Sequence, residues 1–143
     1  MRIGLVGCVK SKRARPAPAR DLYTSPLFRG ARRFVEWSCD RWFVLSAEHG
    51  LVAPERVLAP YERTLTTASQ EERRRWVERV LEQLERELGP DLSPHAFEVH
   101  AGSAYLDHGL ARGIEERGGR VERPLQGLGL GARLAFYKER GCL

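Results

Sequence analysis

Four places in this chain gather residue types able to do chemistry at neutral pH. The first is Gly7-Cys8-Val9-Lys10-Ser11-Lys12, a thiol and two amines close together. The second, Ser46-Ala47-Glu48-His49-Gly50, sets a hydroxyl, a carboxylate and an imidazole side by side. The third is Gly102-Ser103-Ala104-Tyr105, and the fourth is Gln126-Gly127-Leu128-Gly129-Leu130-Gly131. Glu48 and His49 can supply a general base and a proton donor, or Glu48 can simply pair with an arginine while His49 packs in a turn. Lys10 and Lys12 can hold a phosphate, or a desolvated lysine can act as a Schiff-base nucleophile. Cys8 is either a nucleophile or a small core residue. Gly127, Gly129 and Gly131 precede a helical segment, as backbone cradles for phosphate do, and Arg133 falls within a turn of them. Gly102 and Ser103 suit a second small anion pocket, with Tyr105 beside them. The glycine run is not the dinucleotide fingerprint, because it follows the last strand and has no acidic residue downstream.

Two further groups belong with these. In Asp21-Leu22-Tyr23-Thr24-Ser25-Pro26 the aspartate can orient a water and the tyrosine can stack on a planar base. The same residues also make a helix entry, with Ser25 as cap and Asp21 paired to Arg20 or Lys12. Tyr61, in Ala59-Pro60-Tyr61-Glu62, is a stacking or lid residue on a long loop. His49, His95, His100 and His108 show no ligand spacing, so neither a metal nor another cofactor is expected.

Residues so scattered need a scaffold that brings them to one edge. Apolar runs at Arg2–Gly7, Trp42–Ser46, Ala96–Ala101 and, more weakly, Arg120–Arg123 predict buried strands. Helical periodicity separates them. Ser25-Pro26 opens a helix whose face is Leu27, Ala31, Phe34, Val35 and Ser38, with Arg29, Arg32 and Arg33 on the other side. Ser69 and Glu72 make a capping box for a second helix that Gly89-Pro90 stops. A third is expected from Ser103 to Arg117, and a fourth from Gly131 to about Arg140. Lys10–Arg20 and Leu51–Thr67 fit no element; loops this long are usually functional or mobile. The expectation is a single α/β domain over residues 1–143, a three-layer α/β/α sandwich on a mainly parallel four-stranded sheet of order 2-1-3-4. Ligands of such sheets bind beyond the carboxyl ends of the strands, where the four polar groups fall.

Composition narrows the partners. With 24 Lys+Arg against 19 Asp+Glu, the chain carries +5 over its 143 residues, which suits a polyanion such as DNA. Arg13, Arg15, Arg29, Arg32, Arg33 and Arg133 are the expected phosphate contacts. The three widely spaced cysteines form no disulfide or metal pattern. Ile3–Val6 is too brief for a secretory segment and no apolar run reaches membrane-spanning length, so a reduced, cytoplasmic setting is expected. Nothing in the pattern requires a protein partner.

The motifs Gly7-Cys8-Val9-Lys10-Ser11-Lys12, Leu22-Tyr23-Thr24-Ser25-Pro26-Leu27-Phe28 and Leu45-Ser46-Ala47-Glu48-His49-Gly50-Leu51 resemble a family of small bacterial and phage proteins. The likeness extends through Ala59–Leu65, Ala101–Tyr105 and Pro124–Gly129, nearly the whole chain. That family looks related to the YaaA-like, DNA-binding peroxide-stress proteins and to the lysine-bearing domain of archaeosine synthase, whose motif Cys8, Lys10 and Lys12 resemble. The small sheet with sites on its carboxyl edge is similar in fold to uracil-DNA glycosylases, although the water-activating motif of those enzymes is absent. Together these imply a DNA glycosylase cutting the N-glycosidic bond of a modified or damaged pyrimidine such as 5-hydroxymethyluracil. The base would be turned out of the helix, with Glu48, His49, Asp21 and Lys10 at the reaction centre. A non-catalytic DNA-binding stress protein and a lysine-dependent base-modifying or nucleotide enzyme are the alternatives.

Overall fold

Strands with apolar residues on both faces belong in the middle of a sheet, and the computed structural model, which describes residues 1–7 and 11–143, puts them there. β1 (Arg2–Gly7) is buried from Ile3 onward and lies between β3 (Arg41–Ser46) and β6 (Ala96–His100), parallel to both. β7 (Arg120–Glu122) extends the sheet beside β6, also parallel. β4 (Gly50–Val52) returns antiparallel along β3, pairing Leu51 with Leu45.

The sheet therefore has five strands, in the order β4-β3-β1-β6-β7, where the sequence predicts four. The four parallel strands stand as β3-β1-β6-β7, and β4 is the addition. Gly50, at φ 73°, reverses the chain just after the Glu48-His49 turn, so the start of a supposed loop becomes an edge strand.

Helices cover the sheet in two groups, giving a mixed α/β sandwich. α2 (Pro26–Ser38) packs on β1 and on α6 (Leu130–Glu139), whereas α3 (Gln70–Leu88) packs on α5 (Leu110–Glu116) and β4. Their ends are set locally. The Ser25 Oγ accepts the Phe28 N–H at 3.1 Å with Pro26 opening the helix, and the Ser69 Oγ accepts the Glu72 N–H at 3.1 Å. The single helix expected over 103–117 is instead broken into α4 (Ser103–Leu106) and α5, because Gly109 takes φ 114° between them. Gly30 lets α2 approach α6: a β-carbon there would sit 2.7 Å from the Tyr137 ring.

The two stretches that fit no element clasp each other. β2 (Ala17–Pro18) pairs antiparallel with β5 (Val57–Leu58), and the short α1 (Ala19–Leu22) continues the contact. The Ala19 N–H donates to the Arg56 carbonyl at 2.8 Å and the Arg20 N–H to the Pro54 carbonyl at 3.0 Å. Among the described residues, no helix is long and apolar enough to cross a membrane.

Candidate functional site

Ser46 ends β3 with a fully buried side chain, and a buried hydroxyl must find partners. Its Oγ accepts the His49 N–H at 3.1 Å and donates to the Tyr61 Oη at 2.7 Å. Its carbonyl accepts the Trp76 indole N–H at 2.8 Å. Tyr61 in turn meets Tyr23, Oη to Oη at 2.6 Å. Ser46 donates into this chain, and either phenol of the tyrosine pair can donate to the other. The Lys12 Nζ lies 4.5 Å from the Tyr61 ring centre and 5.7 Å from that of Tyr23, and the His49 ring stands edge-on to Tyr61 at 5.5 Å. Three segments distant in sequence thus meet at the carboxyl ends of β1 and β3. A bridge between Lys12 and Tyr23 folds the first, the β3–β4 turn carries the second, and the β2–β5 clasp holds the loop bearing Tyr61.

Gln83 of α3 fixes the turn that carries His49: its Nε2 donates to the His49 carbonyl at 3.2 Å and its Oε1 accepts the Leu51 N–H at 2.8 Å. Burial lowers the His49 pKa, and nearby Arg56 and Arg79 add to this against the opposing pull of Glu48. The imidazole is thereby favoured as a neutral group that can donate from one nitrogen and accept at the other. The Glu48 carboxylate pairs with the Arg63 Nε at 3.3 Å, and its carbonyl accepts from Arg79 at 3.0 Å.

Asp21 faces elsewhere. Its carboxylate takes a 2.8 Å bond from Arg32 of α2 and lies 3.6 Å from the Arg20 Nε, while its carbonyl accepts from Arg13 at 2.7 Å. The structure thus uses it to tie α1 to α2. Tyr23 is only 2% exposed and anchors Tyr61, which is half-buried. Ser25 acts as the α2 cap. Cys8 and Lys10 lie outside the described residues.

The other half of the edge belongs to β6. Ser103 is exposed at the start of α4, while Tyr105 is buried with its ring 5.5 Å from that of Trp76. Gly127, at φ 80°, makes a turn and Gly129 caps α6, with Gly131 exposed in its first turn. Gly102 and Arg133 line a small cavity of about 60 Å³, and a second of about 160 Å³ adjoins it. Of the α2 arginines, Arg32 is held by Asp21 and Glu36, and Arg29 and Arg33 are exposed, as is Arg15.

Sequence reasoning missed one buried polar chain. The Glu98 Oε1 lies 2.8 Å from the His100 Nε2, and the His100 Nδ1 lies 2.7 Å from the Tyr137 Oη. The other Glu98 oxygen accepts from Arg2 at 2.8 Å. Burial alone would raise the Glu98 pKa, but bonds from His100 and Arg2 more than reverse this and hold the carboxyl below its usual range. Burial pushes the Tyr137 phenol well above its own. The available signal was polar residues at alternate positions, 98 and 100, inside a strand otherwise apolar. Among the described residues, no group of three or more His, Cys, Asp or Glu is placed to hold a metal ion.

A family model described as a family of unknown function, DUF6884, matches residues 3–139. An uncharacterized protein, YfjM of Bacillus subtilis (strain 168), is 31% identical over 64 residues, 41% of this chain. The match spans 43% of the length of that curated relative. No solved structure matches the chain significantly.

Proposed function

Because this chain belongs to the DUF6884 family of unknown function, we propose an activity from its own site: a DNA glycosylase that hydrolyses the N-glycosidic bond of a modified or damaged pyrimidine. 5-Hydroxymethyluracil is the first substrate to try. One observation carries the reading: Lys12, Tyr23, Ser46, His49 and Tyr61 converge at the carboxyl ends of two neighbouring strands, around a buried hydroxyl chain.

Each group has a task in that reaction. The extrahelical base stacks on Tyr61, held in orientation through Tyr23 and Ser46. Glu48 positions the attacking water and stabilises positive charge growing on the sugar. Neutral His49 donates a hydrogen bond to the departing base anion. Lys12 adds positive charge beside the leaving group, and the net +5 of the chain favours DNA as the polyanion. Lys10 and Cys8, next to Lys12 in sequence, lie outside the described residues, and the roles expected for them stay open to the same assay.

The test is base release from duplex and single-stranded oligonucleotides carrying uracil, 5-hydroxymethyluracil, 5-hydroxymethylcytosine and common lesions, read by mass spectrometry. Release from one substrate, abolished by Glu48→Gln or His49→Ala, supports the proposal. Tight duplex binding without release would replace it with a YaaA-like DNA-binding role. A borohydride-trapped protein–substrate adduct would replace it with lysine-dependent base modification.

A further inference from the structure

The two cavities at the carboxyl end of β6 share Ala101, Leu125 and Arg133, so they form one cleft with a narrow inner compartment and a wider outer one. No residue of the Ser46–Tyr61–Tyr23 cluster is among the described lining, although Phe28 of the inner compartment packs on the Tyr23 ring at 4.8 Å. Arg133 stands between the compartments. Its Nε donates to the Leu128 carbonyl at 2.8 Å, which fixes the plane of the guanidinium. Its two terminal nitrogens have no partner among the described residues.

The charges around it leave that cation uncompensated. The remaining formally charged residues on the described lining are Arg123 and Asp107, and they neutralise each other at 2.7 Å. Glu98 lies behind His100, with its oxygens taken by His100 and Arg2. Glu98 meets the His100 Nε2 and the Tyr137 hydroxyl meets Nδ1, so both ring nitrogens are engaged. The chain of Glu98, His100 and Tyr137 thus forms a saturated floor that presents no negative charge to the cleft. A β-carbon at Gly102 would meet nothing within 4 Å, so the backbone there is open to an incoming group. The outer compartment adds the Gln126 amide and the Ser103 hydroxyl, which donate and accept in the manner a ring with mixed polar edges requires.

We infer that this cleft is a binding site for a nucleotide phosphate group: Arg133 grips the phosphate oxygens with its terminal N–H fork, and the attached nucleoside lies toward Gln126 and Ser103. A planar fork with two free ends matches a phosphate bidentately, which a single ammonium cannot do. The phosphate belongs either to a free nucleotide or to a nucleic-acid strand. The inference stands on this cleft alone and holds whether or not the chain cleaves a glycosidic bond.

Isothermal titration with inorganic phosphate and with thymidine 5′-monophosphate tests it, paired with amide NMR shifts on the wild-type protein. Both compounds should bind, shifting Gly102, Gly127 and the Arg133 side-chain resonance. Arg133→Ala should weaken binding roughly ten- to a hundredfold, the loss expected for a charge-assisted pair. Arg133→Lys should recover only part of it, and Arg86→Ala, at an exposed position on α3, should change nothing. Competition by a single-stranded oligonucleotide at constant salt identifies a strand phosphate as the source, and its absence identifies a free nucleotide. No binding of either compound, or equal affinity in a folded Arg133→Ala protein, overturns the inference. Should that variant not fold, wild-type shifts confined to surface sites away from the cleft would overturn it equally. Base release by the Glu48 and His49 variants is scored separately, so each idea fails by its own assay.

Discussion

At the scale of single residues, the site is built by satisfying buried polar groups. Tyr61 is the link between Ser46 and Tyr23, and Tyr61→Phe deletes it while preserving the ring. The Ser46 hydroxyl would then be buried with its donor unsatisfied, at a cost of about 1–3 kcal/mol. Thermal denaturation should show a lower midpoint, and substrate stacking should survive better than turnover. His49 offers a second check. Its folded-state pKa is depressed below the ordinary value of about 6.5, so NMR titration of the ring should give a midpoint below that of a free histidine. The sign follows from linkage. As pH falls through the unfolded value, the unfolded chain takes up the proton first, so stability is full above that pH and declines toward the folded value. A stability profile flat from neutral pH through that window in wild type, and unchanged in His49→Gln, would contradict the depressed titration.

At the scale of elements, what could be read from sequence was what is decided locally. Ser25-Pro26 and Ser69 with Glu72 cap helices through bonds to residues a single turn away, so their pattern is complete in the sequence. The apolar runs of β1 and β3 were equally plain, since strands buried on both faces carry no competing polar pattern, and the run at β6 was legible despite Glu98 and His100. The clasp of β2 with β5 was not legible. Each strand has two residues, and the pairing of Ala17 with Leu58 joins segments far apart in the chain. Gly109 broke a helix whose periodicity ran on through it, because apolar spacing does not record a positive φ. Glu98 and His100 were hidden for the opposite reason: the apolar run around them read as core, and their partners Arg2 and Tyr137 come from the two ends of the chain. Packing between elements gives its own prediction. Gly30→Ala would drive a methyl group into the Tyr137 ring, costing about 1–3 kcal/mol as an overpacked contact. Denaturant unfolding should show this as a lower midpoint with an unchanged slope.

At the scale of the whole molecule, the net +5 becomes a prediction about salt. Arg29 and Arg33 are exposed on α2, and among the described residues no carboxylate holds either, in contrast to Arg32. If they contact DNA phosphates, the double substitution to alanine should reduce the slope of log affinity against log salt by about 0.9 for each arginine on duplex DNA. An unchanged slope would move the DNA path off this helix. The parallel strands deliver both polar clusters to one edge, with the Ser46 group beyond β3 and the Arg133 cleft beyond β6. The β2–β5 clasp has a consequence for how such a site can be altered. It stitches the loop carrying Lys12 and Tyr23 to the loop carrying Tyr61, so each holds the other's backbone in place. Exchanging either loop alone with that of another family member should uncouple their mating backbones and scramble the pocket. Exchanged together, they should travel as a cassette and carry their preference for substrate with them.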